Sequence, residues 1–198
     1  AYYYTFYATN SAGHAWATPA TNFTMAKLTP SFSGLTASQS TNYGATNVTL
    51  GGTLSAAGPY YPTNGEPVTI TINGNVQTAT VNGVSGDFSL SYNPSSPSRI
   101  PYSASPYTIT YGYVGSVSLN PTNDTSTTLT INKATLTVGG SFTANNKEYD
   151  ANTNATISVN SLTLVTTNAG DAVTLTPVLV FTNKTIGSGK TVVLAPSS

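Results

Sequence analysis

The chain has 198 residues, six basic and six acidic side chains, one histidine and no cysteine. Charged residues make up 6% of it, against a usual share of about a quarter. The charges cancel, which excludes a field that would steer nucleic acid or an anionic membrane surface toward it. The missing cysteines exclude a disulfide framework.

Solubility falls to Thr, Ser and Asn, while Thr, Val, Ile and Tyr favour a pleated, half-buried surface. No apolar run approaches the roughly 20 residues of a membrane helix, no signal peptide is visible, and no stretch keeps a 3.6-residue apolar period. The first runs in chain order are Tyr2–Ala8, His14–Ala17 and a short one at Asn22–Met25. They are too little for a domain, so residues 1–26 read as a partial domain or as donated strands. Tyr2, Tyr3, Tyr4, Phe6 and Tyr7 put rings on both faces of the first run, which predicts a strand buried on both sides.

Residues 27–132 hold seven or eight alternating runs bounded by Gly, Pro, Asn or Ser, enough for one sandwich of antiparallel sheets. Val68, Ile70 and Ile72 share a face, as do Phe88, Leu90 and Tyr92, then Tyr107, Ile109, Tyr111 and Tyr113, then Leu129 and Ile131. Ile70, Ile72, Phe88, Leu90, Ile109 and Tyr111 are the predicted core. Asn73-Gly74-Asn75 joins two runs. A three-residue loop with Asn75 left-handed places Ile72 opposite Val76 and keeps apolar residues together, so it is preferred to a two-residue Asn-Gly turn. Residues 133–198 begin again at Lys133-Ala134-Thr135-Leu136-Thr137-Val138, hold five or six short strands, and stop without a closing turn and strand. Both ends read as cut within a domain. The expected fold is all-β, with tandem Ig-like antiparallel β-sandwiches.

Val48-Thr49-Leu50, Asn64-Gly65-Glu66, Val68–Gly74, Gly86-Asp87-Phe88 and Tyr107–Tyr111 resemble the bacterial Ig-like repeats of very large surface proteins, over most of 31–132. Lys147-Glu148-Tyr149-Asp150, Gly170–Leu175 and Gly187–Val192 resemble the YDG repeat of filamentous-haemagglutinin-like adhesins. That repeat usually has Gly after Tyr-Asp, where this chain has Ala151, implying a different turn. It also implies a further strand region beyond residue 198. Tyr4–Gly13 and Trp16-Ala17 are similar to the end of a fibronectin-III-like repeat. These resemblances imply extracellular display at a cell surface, tandem repetition, and mechanical or adhesive roles, with no conserved chemistry.

The reactive residue types give no catalytic set and no cofactor site. Gly187-Ser188-Gly189-Lys190-Thr191 ends like a phosphate loop, but Lys184 stands where the pattern needs Gly, and no helix follows; a hairpin turn is expected. His14 has no acidic residue near it in sequence to orient it as a triad would. Glu148 and Asp150 alternate on one side of a strand and are weak calcium candidates, with Asn145, Asn146 and Asn152 as added oxygens; a plain turn anchored by Asp150 is the alternative. Lys27 with Asn132, assisted by Glu66, is the one set that resembles the Lys–Asn isopeptide crosslink of Ig-like pilin domains; a surface lysine is the alternative. Tyr60 and Tyr61, beside Pro59 and Pro62, are candidate ligand contacts or core residues. Five N-glycosylation patterns, such as Asn47-Val48-Thr49, fit chance in an Asn- and Thr-rich chain.

Two functions follow as expectations. The first is a structural segment of a surface fibre or adhesin stalk. Its partners would be other copies of itself or neighbouring repeats, joined head-to-tail by Tyr2, Tyr3, Tyr4, Phe6 and Tyr7 as a donated strand; pairing of that run only within its own segment, or with 27–132 of its own chain, would sink that assembly, and the alternative is that residues 1–26 end a preceding domain. The second is a glycan- or host-surface-binding adhesin module.

Overall fold

The computed structural model describes residues 2–18, 21–58, 60–165 and 168–195, all of it strand, turn and loop. The described residues contain no helix. Contacts divide the chain into two compact units, residues 1–133 and 134–198.

In the first unit, the N-terminal segment makes four short strands: β1 (Tyr2–Tyr4), β2 (Tyr7–Asn10), β3 (Gly13–Trp16) and β4 (Thr21–Phe23). β2 and β3 form a tight hairpin closed by Asn10, whose side-chain oxygen accepts from the Ala12 amide. β1 pairs with β4 further out, and a backbone bond from Ala17 to the Phe6 carbonyl links the two pairs. The expectation of a strand buried on both faces fails within this chain. The rings of Tyr2, Tyr3, Tyr4, Phe6 and Tyr7 are all exposed, because a two-stranded ribbon has no second layer to cover either face.

The body of the unit has two sheets. One has the order β10 (Asp87–Tyr92), β7 (Val48–Ser55), β5 (Ser31–Ser33). The other has the order β6 (Gln39–Asn42), β12 (Thr122–Asn132), β11 (Tyr107–Tyr113), β8 (Pro67–Ile72), β9 (Asn75–Thr80). Pairing is antiparallel except for β6, which runs parallel to β12. Alternation puts Val68, Ile70 and Ile72 inward from β8, Ile109, Tyr111 and Tyr113 from β11, Leu129 and Ile131 from β12, and Phe88 and Tyr92 from β10, all buried in one core. The two sheets meet through rings: Tyr111 lies 5.9 Å from Phe88 and 6.0 Å from Phe32, distances at which aromatic pairs attract. Five of the six predicted core residues are buried, and Leu90 packs against them half-buried.

The predicted three-residue loop at Asn73-Gly74-Asn75 is not formed. Ile72 pairs with Asn75 across a two-residue turn, with Asn73 at φ 48° and Gly74 at φ 80°. This is the turn whose twist matches the strands. It sends Asn75 inward and leaves Val76 exposed. Burying the amide is tolerated because its nitrogen and its oxygen are each bonded. Asn75 donates to the Ser98 carbonyl and accepts from the Ser98 hydroxyl at 2.9 Å, while its own carbonyl accepts from the Tyr92 hydroxyl at 2.8 Å.

The second unit is built from β13 (Val138–Gly139), β14 (Phe142–Ala144), β15 (Asn154–Ala155), β16 (Ile157–Asn160), β17 (Thr163–Leu164), β18 (Leu179–Phe181) and β19 (Val192–Leu194). They pair as β13–β17, β14–β16 and β15–β18–β19. Leu179 is the one buried hydrophobic residue among the described residues of this unit, and Val138, Val159, Val165, Val178 and Ile186 are exposed.

Candidate functional site

The candidate residues fall into four places. At the first, Tyr60 and Tyr61 separate. Tyr60 forms a bridge with Ala56, and its exposed ring lies over Gly58, where an added Cβ would sit 2.5 Å from it. Tyr61 turns the other way and is half-buried, its ring 2.5 Å from where a Cβ on Gly86 would stand. Tyr60 therefore presents a surface and Tyr61 serves packing. Pro59, cited with them, lies outside the described residues.

The second is the turn at 147–154. The Lys147 ammonium pairs with Asp150 at 2.8 Å, donates to the backbone carbonyl of Asn154 at 2.9 Å, and bonds the Asn152 side chain. Asp150 also accepts from Asn152. A carboxylate, an amide oxygen and a carbonyl converge as they would on calcium, but the cation they hold is the chain's own ammonium. Glu148 is not one of the groups that hold it. Bonding and charge from Lys147 keep the Asp150 carboxyl below the usual carboxylate range. Ala151, where the YDG repeat usually has Gly, has φ 63°, the left-handed conformation that glycine takes freely. The neighbouring cage holds the alanine where glycine would need no holding.

The third is the loop at 183–191. Lys190 again caps its own loop, bonding Asn183, the Thr185 carbonyl at 2.8 Å and the Thr185 hydroxyl at 2.9 Å. The residues that look like the end of a phosphate loop form bends rather than a helix start, with Gly189 at φ 65°. Between this loop and residues 142–152 lies a groove of about 760 Å³, with Tyr149, Lys184 and Ile186 among its lining. The isopeptide set is not assembled. Lys27 bonds the Ser116 carbonyl and Glu66 accepts from Tyr113, both at the end of the sheet where β12 begins. Asn132 ends β12, about 30 Å away at the rise of a strand.

The fourth place is the N-terminal hairpin. Register puts Tyr7 opposite Trp16 and Thr9 opposite His14. The Tyr7 ring centre stands 4.5 Å from Trp16 and 5.7 Å from His14. Tyr2 stacks on Phe23 at 5.5 Å, and Tyr4 meets Phe6 edge-on at 6.0 Å. Sequence reading found the tyrosines but missed Trp16 and Phe23 as their partners. The available signal was the hairpin register implied by Asn10-Ser11-Ala12-Gly13.

A YDG domain is found at residues 131–198. A search of curated proteins returns no match to this chain.

Proposed function

We propose that the chain is a non-catalytic structural segment of an extracellular bacterial surface fibre or adhesin stalk. The observation that carries this reading is the arrangement in series: an all-β unit with a closed aromatic and aliphatic core is followed directly by a YDG domain. A stalk is built of units that follow one another along the chain, and two compact units in series suit that role. The reactive side chains support it too. Lys27, Arg99, Lys133, Lys147 and Lys190 are each engaged within their own units, and the single histidine lies against the Tyr7 ring. Immunogold electron microscopy of source cells, with antibody to residues 27–132, tests it. Labelling along surface fibres is expected, and labelling confined to the cell interior would overturn it.

A second reading, a glycan-binding adhesin module, is favoured by the exposed Tyr60 ring, which offers a flat face for a sugar. Glycan-array binding lost in Tyr60→Ala would select it.

A further inference from the structure

We propose that the 27–132 body carries a tension clamp: the segment that enters it, residues 28–43, runs parallel to the strand that leaves it, β12, so that pulling on the chain loads their hydrogen bonds in shear. The proposal goes beyond the stalk reading, which places the unit in a fibre but gives it no means of resisting load. Among the described contacts, residues 2–7 pair only within residues 2–23. That removes the donated strand as the joint between units, and tension passes along the covalent chain.

The geometry follows from the parallel pairing in a body whose other strand pairs are antiparallel. Leu28 bridges Leu119 in parallel, its amide donating to the Ser118 carbonyl at 3.0 Å and its carbonyl accepting from the Asn120 amide at 2.8 Å. The chain then crosses to the three-stranded sheet as β5, pairs with β7, and returns as β6. There Gln39–Asn42 lie beside residues 129–132, again in parallel. The Tyr43 amide donates to the Asn132 carbonyl at 2.8 Å, and the Ser38 hydroxyl oxygen accepts from the Thr128 amide at 2.9 Å. Leu129 and Ile131 are buried, so the core grips the side chains of β12 while β6 holds its backbone.

Direction decides what these contacts do. Two segments that run the same way, one entering and one leaving, are drawn in opposite senses along their common axis when the chain is stretched. Ladder bonds reach across that axis from one strand to the next, so they share the load and give way together. An antiparallel hairpin pulled at its adjacent ends opens one bond at a time instead. Tension entering at Leu28 crosses to β12 and leaves at Asn132. Residues 44–118, with most of the core, stay off the load path until the clamp fails. Resistance to force, which is governed by the unfolding rate, is thereby separated from overall stability. Successive backbone amides of a strand point to opposite sides. The Tyr43 amide reaches β12, so that of Thr41 does too, while that of Ser40 points away from the sheet, whose edge β6 forms.

The test is single-molecule stretching of the full chain, held by its two ends under constant load. Opening of the body is recognised by the chain it releases, roughly 350 Å, against roughly 220 Å for residues 134–198. Thr41→Pro deletes a clamp donor and should open the body about fivefold faster, the kinetic equivalent of one net hydrogen bond. Leu28→Pro deletes the donor to Ser118 and should do the same; it decides the matter should Thr41→Pro fail to fold. Ser40→Pro, on the same edge strand with its amide turned outward, should open at the parent's rate. So should Tyr92→Phe, which weakens the core but lies off the load path. Opening of the clamp variant at the parent's rate overturns the proposal, as does equal acceleration by Ser40→Pro or Tyr92→Phe, since overall stability would then account for the resistance. Neither outcome bears on the labelling of surface fibres, which tests the stalk reading by itself.

Discussion

The hydroxyl of Tyr92, on β10, donates to the backbone carbonyl of Asn75, on β9, at 2.8 Å inside the core. The bond ties the three-stranded sheet to the edge of the five-stranded one, at the turn whose register the local pattern does not predict. Tyr92→Phe removes the donor and leaves a buried acceptor short of a partner. The expected loss is about 1–2 kcal/mol, read as a lower urea midpoint with an unchanged slope.

The same residue gives a pH dependence. Burial pushes the Tyr92 hydroxyl up to about 12, and Tyr111 and Tyr113 are raised as well, first by burial. A group whose folded pKa is raised contributes stability below its unfolded pKa, about 10 for tyrosine, and loses it as pH rises through the folded value. Stability should therefore be level up to about pH 10 and fall between pH 10 and 12. Tyr92→Phe should flatten part of that fall. A parent whose denaturation midpoint stays constant to pH 12 would contradict it.

Ile72→Asp should unfold the 27–133 body. Ile72 is fully enclosed, paired with Ile109 on one side and Asn75 on the other. The change forfeits about 1.5–3 kcal/mol of burial and places a carboxylate among apolar groups. Loss of the dispersed amide NMR signals of this unit is the expected readout, and a variant that melts like the parent would show the facing of β8 to be wrong.

Ala151→Gly should stabilise the YDG domain. A non-glycine residue in the left-handed region costs about 1–2 kcal/mol, and part of the relief is offset by glycine's greater unfolded freedom. A net gain of about 0.5–1 kcal/mol is expected in thermal unfolding of that domain. Ala151→Val should move the other way.

Lys147→Met should empty the ammonium cage. In the parent, the Asp150 carboxyl is expected to titrate below the ordinary aspartate value by NMR, because Lys147 bonds it and lies beside it. In the variant the midpoint should return toward that value. If the cage oxygens suit a metal, calcium should bind the variant and leave the parent unchanged; equal calcium-induced shifts in both would show that the ammonium does not hold the site.

Alternation along the chain was enough to determine that Ile70, Ile72, Ile109 and Tyr111 face inward, because side chains on a strand have a period of two and water excludes one face. Lys147–Asp150, with the segments that follow, was enough to mark the YDG domain. The register at Asn73-Gly74-Asn75 was decided by the tertiary structure. Local hydrophobicity argued for Val76 inside, and Asn75 won because Tyr92 and Ser98, 17 and 23 residues away, supply its hydrogen bonds. Nothing within a strand's own sequence records such distant partners. The Asp150 turn followed the same rule: spacing alone suited either a metal or a lysine, and only the folded loop brings the Lys147 ammonium into the cage. The aromatic hairpin marks the remaining limit. The sequence supplied rings for both faces, while the fold leaves them exposed, because a ribbon of two strands has no second layer among the described residues.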